Sequence, residues 1–272
     1  MYRSYFAILM LMICGCFLSS AAAQDGQSLD GESMLANWRG NVSLTPSYCQ
    51  GMADRLSALT EGLELPEHLM KGEAVRRGQD FDVNRYFTVL DQMSMESGYV
   101  LDYVYYNGGI GGEPVLYARK DDQPSYKDYD EICASRERAG KTIDSPSHEE
   151  EYLNHIKVNA TAEGFFQLYL LRIMAGQFYL FWHANYDDYK IVCNSSDAPL
   201  YISDPALAAK ADQMDFTPNV EINDDAVRVS AVVFTKWGGF IRKSVVFSTG
   251  FPHKVLKEDS QVLVPYNWGI VF

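Results

Sequence analysis

The chain has 272 residues, of which 47% are hydrophobic and 13% aromatic, and a formal net charge of −13. That apolar content suffices for a sizeable core and excludes a disordered chain. The acidic balance excludes general nucleic-acid binding, because the phosphate backbone would repel the protein.

Residues 1–23 read as an export signal. Arg3 supplies the positive start, Tyr5 to Leu18 the apolar run, and Ala21-Ala22-Ala23 the small-residue cleavage site before Gln24. The apolar run is too short for a spanning helix. A second exit is open at Ile13-Cys14-Gly15-Cys16, which resembles a bacterial lipobox with Cys16 taking the lipid. Cys14 and the apolar Phe17-Leu18 fit that motif poorly, which favours cleavage after Ala23. Either route delivers a periplasmic or extracellular protein, touching a membrane only through the N-terminal lipid. Since Arg3 is the one charged residue before Asp25, removing the signal takes the charge from −13 to −14.

Residues 24–42 have little periodicity and read as a flexible tether, leaving 43–272 as a single domain. Thr45-Pro46-Ser47 opens a helix, with Ser47 and Gln50 at capping-box spacing and Met52, Leu56, Leu59 and Leu63 on one face. Pro66 starts a shorter helix, and Asp82 caps a third that carries Val83, Tyr86, Phe87, Leu90 and Met93. Asp80-Phe81-Asp82-Val83-Asn84 begins like a calcium loop. Arg85, however, stands where that loop needs glycine, and Asp91 where a bidentate Glu is usual. Capping by Asp82 explains the acidic residue better.

Tyr99 to Tyr106 reads as a strand, Asn107 to Gly112 as a loop and Pro114 to Ala118 as the returning strand. The glycines are a hairpin tip; a phosphate loop would lead into a helix and carry Lys-Ser/Thr. Helices near 128–139 and 149–153 follow.

Thr161 to Cys193 is the densest apolar run beyond the N-terminus. A helix of about 162–175, capped by Thr161 and apolar nearly all round, belongs at the centre of the core. Phe178 to His183 and Tyr189 to Cys193 then read as a hairpin about the Asn185-Tyr186-Asp187-Asp188 turn. A membrane span over Gly164 to Trp182 competes with this. Arg172 near its middle argues against it, at roughly 2.5–3.5 kcal/mol in hydrocarbon.

A helix near 204–214 precedes a second hairpin, Ala226 to Phe234 with Phe240 to Phe247, and a short strand at Val262 to Val264. Lys236, Arg242, Lys243, Lys254 and Lys257 gather in sequence around Trp237 and Phe240. They could meet an anionic polymer or lipid headgroup, but a solvated hairpin explains them without a partner. Antiparallel hairpins interspersed with helices give an α+β class, with several helices packed on antiparallel sheet.

Three cysteines follow the signal: Cys49, Cys133 and Cys193. An oxidising compartment invites one bridge and leaves one thiol over, while the apolar settings equally suit three buried thiols. The pairing stays open. No spacing suggests a metal or cofactor site.

The most catalytic-looking cluster is His183 with Asp187 or Asp188, since an Asp-oriented histidine can serve as a general base in a hydrolase. His148, His155 and His253 could join it. No nucleophile elbow or H-E-x-x-H motif accompanies them. The expectation is therefore an exported α+β domain that binds a protein or small-molecule ligand, or serves a structural role, without catalysis. A hydrolase using His183, and a lipid-anchored accessory protein at a membrane surface, are the alternatives.

Overall fold

In the computed structural model of the chain, the described residues are 40–109, 111–138, 151–182 and 189–267. The N-terminal signal, Cys16, His183, Asp187 and Asp188 lie outside them. The elements run β1 (Gly40–Ser43), α1 (Pro46–Thr60), α2 (Glu67–Met70), β2 (Met93–Met95), β3 (Tyr99–Asn107) and β4 (Gly111–Lys120). There follow α3 (Tyr129–Arg138), β5 (Ile156–Val158), α4 (Ala162–Met174), β6 (Phe181–Trp182), β7 (Lys190–Val192) and α5 (Pro205–Asp212). The chain ends in β8 (Asn219–Ile222), β9 (Ala226–Thr235), β10 (Gly239–Ser248) and β11 (Val255–Val264). The class is α+β.

The central helix forms where the apolar run demands it. Thr161 Oγ1 accepts the Gly164 N–H at 3.0 Å, which caps the first turn. Phe165, Phe166, Leu168, Tyr169, Leu170 and Leu171 are all at most 1% exposed, so the helix is covered on most sides. It packs on β8 and β9 and also on β2 and β5. Its polar residues have their own partners. Gln167 is 1% exposed, accepts the Gln92 N–H at 2.8 Å and donates to Asp91 at 2.9 Å. Arg172 reaches out to Glu258 of β11 at 2.7 Å. The helix ends at Met174, well before Trp182, so the membrane span over 164–182 does not form. Among the described residues no helix is long and apolar enough to cross a membrane.

The main sheet has the order β1-β8-β9-β10-β11, with β7 pairing β9 beyond the end of β8. β9 is buried on both faces. Val227, Val229, Ala231 and Val233 enter the main core with α4, while Val232 and Phe234 enter a second core with Ala211 and Phe216. That explains why β9 is nearly continuously apolar rather than alternating. The β9–β10 hairpin turns tightly at Gly239, where φ is +84° and a Cβ would lie 2.1 Å from the Val264 carbonyl oxygen. Only glycine fits both demands. β3 and β4 form the expected second hairpin, with Tyr105 opposite Pro114.

Three local expectations need correction, and the cysteine pairing left open is resolved. Phe178 to His183 and Tyr189 to Cys193 do not make a hairpin within the described residues. β6 pairs with the Gly111-Gly112 end of β4, whereas β7 pairs with β9, so the two arms enter different sheets. Burial decides this: Ile191 and Val192 are sealed against β9, a contact that local sequence cannot encode. Gly40 to Val42, within the stretch read as tether, pair with Val220 to Ile222 as part of β1. The segment after Asp82 is a 3-10 helix over Val83–Thr88 rather than an α-helix. Finally, Cys49 and Cys193 are bonded across 144 residues, both essentially unexposed, joining α1 to the end of β7. Cys133 is a free, half-buried thiol.

Candidate binding clefts around Tyr179

The chain leaving α4 builds an irregular segment that the sequence did not mark. Gln177 Nε2 donates to the Ile173 carbonyl at 2.6 Å, occupying one of the acceptors left over at the helix end. Phe178 then enters the core, its ring 4.9 Å from that of Phe81 and 5.0 Å from that of Tyr103. With Phe178 anchored, Tyr179 adopts φ 51°, the one non-glycine residue with positive φ among the described residues. For a bulky side chain that conformation costs on the order of 1–3 kcal/mol, and such strain gathers at functional sites. It is held from the far end of the ring: the Phe81 N–H donates to the Tyr179 hydroxyl at 2.9 Å.

Tyr179 is the wall between two clefts. The larger, about 580 Å³, lies between the C-terminal ends of α1 and α4. Leu63, Leu65, Tyr86 and Leu180 give it apolar surface, Asp54, Thr60, Glu61 and Gln177 give it polar surface, and Ala58 and Lys190 stand in its wall. The Tyr86 hydroxyl is buried and has no hydrogen-bond partner. Burial pushes its pKa up, so it stays a neutral phenol.

The smaller cleft, about 470 Å³, lies beside α2. Its floor is a histidine–carboxylate pair: His68 Nε2 lies 3.2 Å from Asp80 Oδ2. The Arg77 N–H donates to the same oxygen at 2.5 Å, while Asp80 Oδ1 is buried with no partner. The Asp80 that opened a calcium-like motif is thus turned inward onto a histidine, and Asp82 caps the 3-10 helix by accepting from the Asn84 N–H. Among the described residues, no group of three or more His, Cys, Asp and Glu side chains could hold a metal ion.

Behind the clefts, Asp102 of β3 is fully buried. It accepts from Arg76 at 2.5 Å, from Arg119 and Ser125 at 2.6 Å each, and from the Tyr103 N–H at 2.9 Å. Burial pushes its carboxyl pKa up, but the Arg119 and Ser125 hydrogen bonds and the Arg76 charge outweigh this and hold it below the usual range. Arg76 also lies 5.3 Å over the Tyr103 ring. Burial first, then the Asp80 charge, push the Tyr103 phenol up, so this wall of the core is neutral too.

His183, Asp187 and Asp188 cannot be related to either cleft, since they fall outside the described residues. His148 likewise falls outside the described residues, and the remaining histidine candidates separate. His155 binds Glu96 at 3.0 Å, and His253 packs on Phe165 with burial pushing its pKa down. The basic grouping also disperses. Lys236 lies in the β9–β10 turn and Lys254 just before β11, the two ends of a hairpin roughly 30 Å long by strand rise. Lys243 lies 4.0 Å over the Tyr189 ring, and Arg242 donates to the Asp215 carbonyl. His68 and Tyr179 carry no motif, and only the apolar crowding after Gly176 hinted that this stretch matters.

Comparisons with protein-family models, curated proteins and solved structures give no match, so the functional argument rests on these residues.

Proposed function

We propose that this is an exported, non-catalytic binding domain whose ligand occupies the larger cleft, between α1 and the segment after α4. The observation that carries the reading is Tyr179. A bulky residue is kept in a left-handed backbone conformation, its hydroxyl tied to Phe81, in the wall of a cleft of about 580 Å³. That volume lies in the range of small-molecule sites. Here Leu63, Leu65 and Leu180 supply apolar contact, the neutral Tyr86 phenol lies among them, and Asp54, Ser57, Thr60, Glu61, Gln177 and Lys190 supply a polar share of the lining. An amphipathic molecule, its apolar part against the leucines and its polar groups against the Asp54, Glu61 and Lys190 side of the cleft, matches that lining. Export is supported by the Arg3-to-Ala23 signal pattern and by the buried Cys49–Cys193 bond, which persists in oxidising compartments.

The test uses Nile red, a neutral apolar dye. The wild-type protein should bind it saturably with a fluorescence rise. Ala58 is exposed on α1 yet stands in the cleft wall, so Ala58→Trp fills the space without disturbing the core. It should weaken dye binding by at least about tenfold, a loss of 1.4 kcal/mol. Equal binding by the variant, or no saturable binding by the wild type, would reject the cleft as the ligand site.

A further inference from the structure

We propose that the smaller cleft, beside His68, is a separate site for a small organic cation carrying N–H donors, such as a primary ammonium. Its lining sets the carboxylates of Glu64, Glu67, Glu73 and Asp80 against only two cations, Lys71 and Arg77. His68 is 7% exposed, lines the cleft and directs Nε2 at the Asp80 carboxylate. With Nε2 turned to that carboxylate, Nδ1 is the ring nitrogen left to meet a ligand. Nδ1 has no hydrogen-bond partner among the described residues. Behind the ring, Asp80 takes both of its donors on Oδ2 and none on Oδ1, leaving its negative charge only partly compensated.

The charges around the mouth agree. Lys71 is paired with Glu67 at 2.5 Å and Arg77 with Glu73 at 2.6 Å, so both cations of the lining are neutralised by neighbours one turn away. Glu64, exposed at the rim, has no ion-pair partner among the described residues. The cleft therefore presents net negative charge, in a chain whose formal charge is already −13. Pro66 and the Tyr179 ring supply an apolar wall on which a hydrocarbon or aromatic stem can lie. A hydrogen-bonded organic cation suits this carboxylate-rich lining. The site is chemically distinct from the larger cleft and does not depend on it.

Benzylammonium is the probe, measured by isothermal titration calorimetry, with benzyl alcohol and benzyltrimethylammonium as controls that lack the charge or the N–H donors. Benzylammonium should bind saturably at one site, and neither control should. Glu64→Gln, an exposed change that leaves the fold alone, should weaken binding about threefold, the size of an exposed ion pair. His68→Phe keeps the ring bulk, removes Nδ1 and should weaken binding by at least about tenfold. Ala58→Trp should leave benzylammonium binding unchanged while weakening Nile red binding at least about tenfold, which separates the two clefts. Absence of saturable binding, equal binding of benzyltrimethylammonium, or full binding by both Glu64→Gln and a folded His68→Phe would each overturn the proposal. If His68→Phe does not fold, unchanged binding by Glu64→Gln alone overturns it.

Discussion

Replacing Cys49 and Cys193 by alanine is expected to cost about 5 kcal/mol of stability by the chain-entropy rule for a loop this long. The bond closes a loop with a sequence separation of 144 and ties α1, which flanks the larger cleft, to the strand end beyond Lys190. Its chief effect is on the unfolded chain, whose ends it holds together, so the folded spectrum should change little. Urea unfolding of the oxidised protein and the double variant measures the difference as a fall in midpoint. A midpoint unchanged within error would show that the two sulfurs are not bonded in solution.

Asp102→Ala is the second large effect, with an expected cost of about 3–5 kcal/mol, the range for removing one partner of a buried ion pair. The carboxylate is fully enclosed, and its loss leaves the Arg76 and Arg119 guanidinium groups facing a void. Both arginines remain about a quarter exposed, so water recovers part of the loss and the lower end of the range is expected. The same group sets a pH signature. Its folded pKa lies below the ordinary value, so the unfolded chain takes up the proton first as pH falls. Its stabilisation is then complete above the unfolded carboxylate pKa of about 3.9, and is lost as pH drops further through the folded value. Thermal melts from pH 7 to pH 2.5 should show an acid loss in the wild type that is smaller in Asp102→Ala. Identical acid slopes would mean that Asp102 is protonated or unpaired in the fold.

The parts of this fold that were legible in sequence are those fixed by local pattern. The helix around Leu170 is apolar on nearly every side, so its central position follows from hydrophobicity. The β3–β4 and β9–β10 hairpins announce themselves through β-branched and aromatic runs broken by glycine. What was not legible depends on distant partners. Whether Phe181 and Ile191 pair with each other or with separate sheets is decided by Gly112 and Val233, far away in the chain. The choice of Cys49 over Cys133 for Cys193 is likewise a matter of how α1 docks on β7. The candidate site was hidden for a sharper reason. Tyrosine disfavours positive φ, so nothing in its residue type predicts the backbone at 179; the anchoring of Phe178 and the Phe81 N–H impose it. His68 and Asp80 are 12 residues apart and belong to no motif, and they meet because the turn at Arg77 folds the carboxylate back on α2.

Native mass spectrometry of the protein isolated from its own cells, wild type beside Ala58→Trp, tests the central claim most directly. Exported chains would begin at Gln24, or at a lipidated Cys16, and the wild type would retain a small-molecule adduct that Ala58→Trp lacks. A chain still carrying Met1 in the cytoplasm, with the same mass profile for both proteins, would contradict the account.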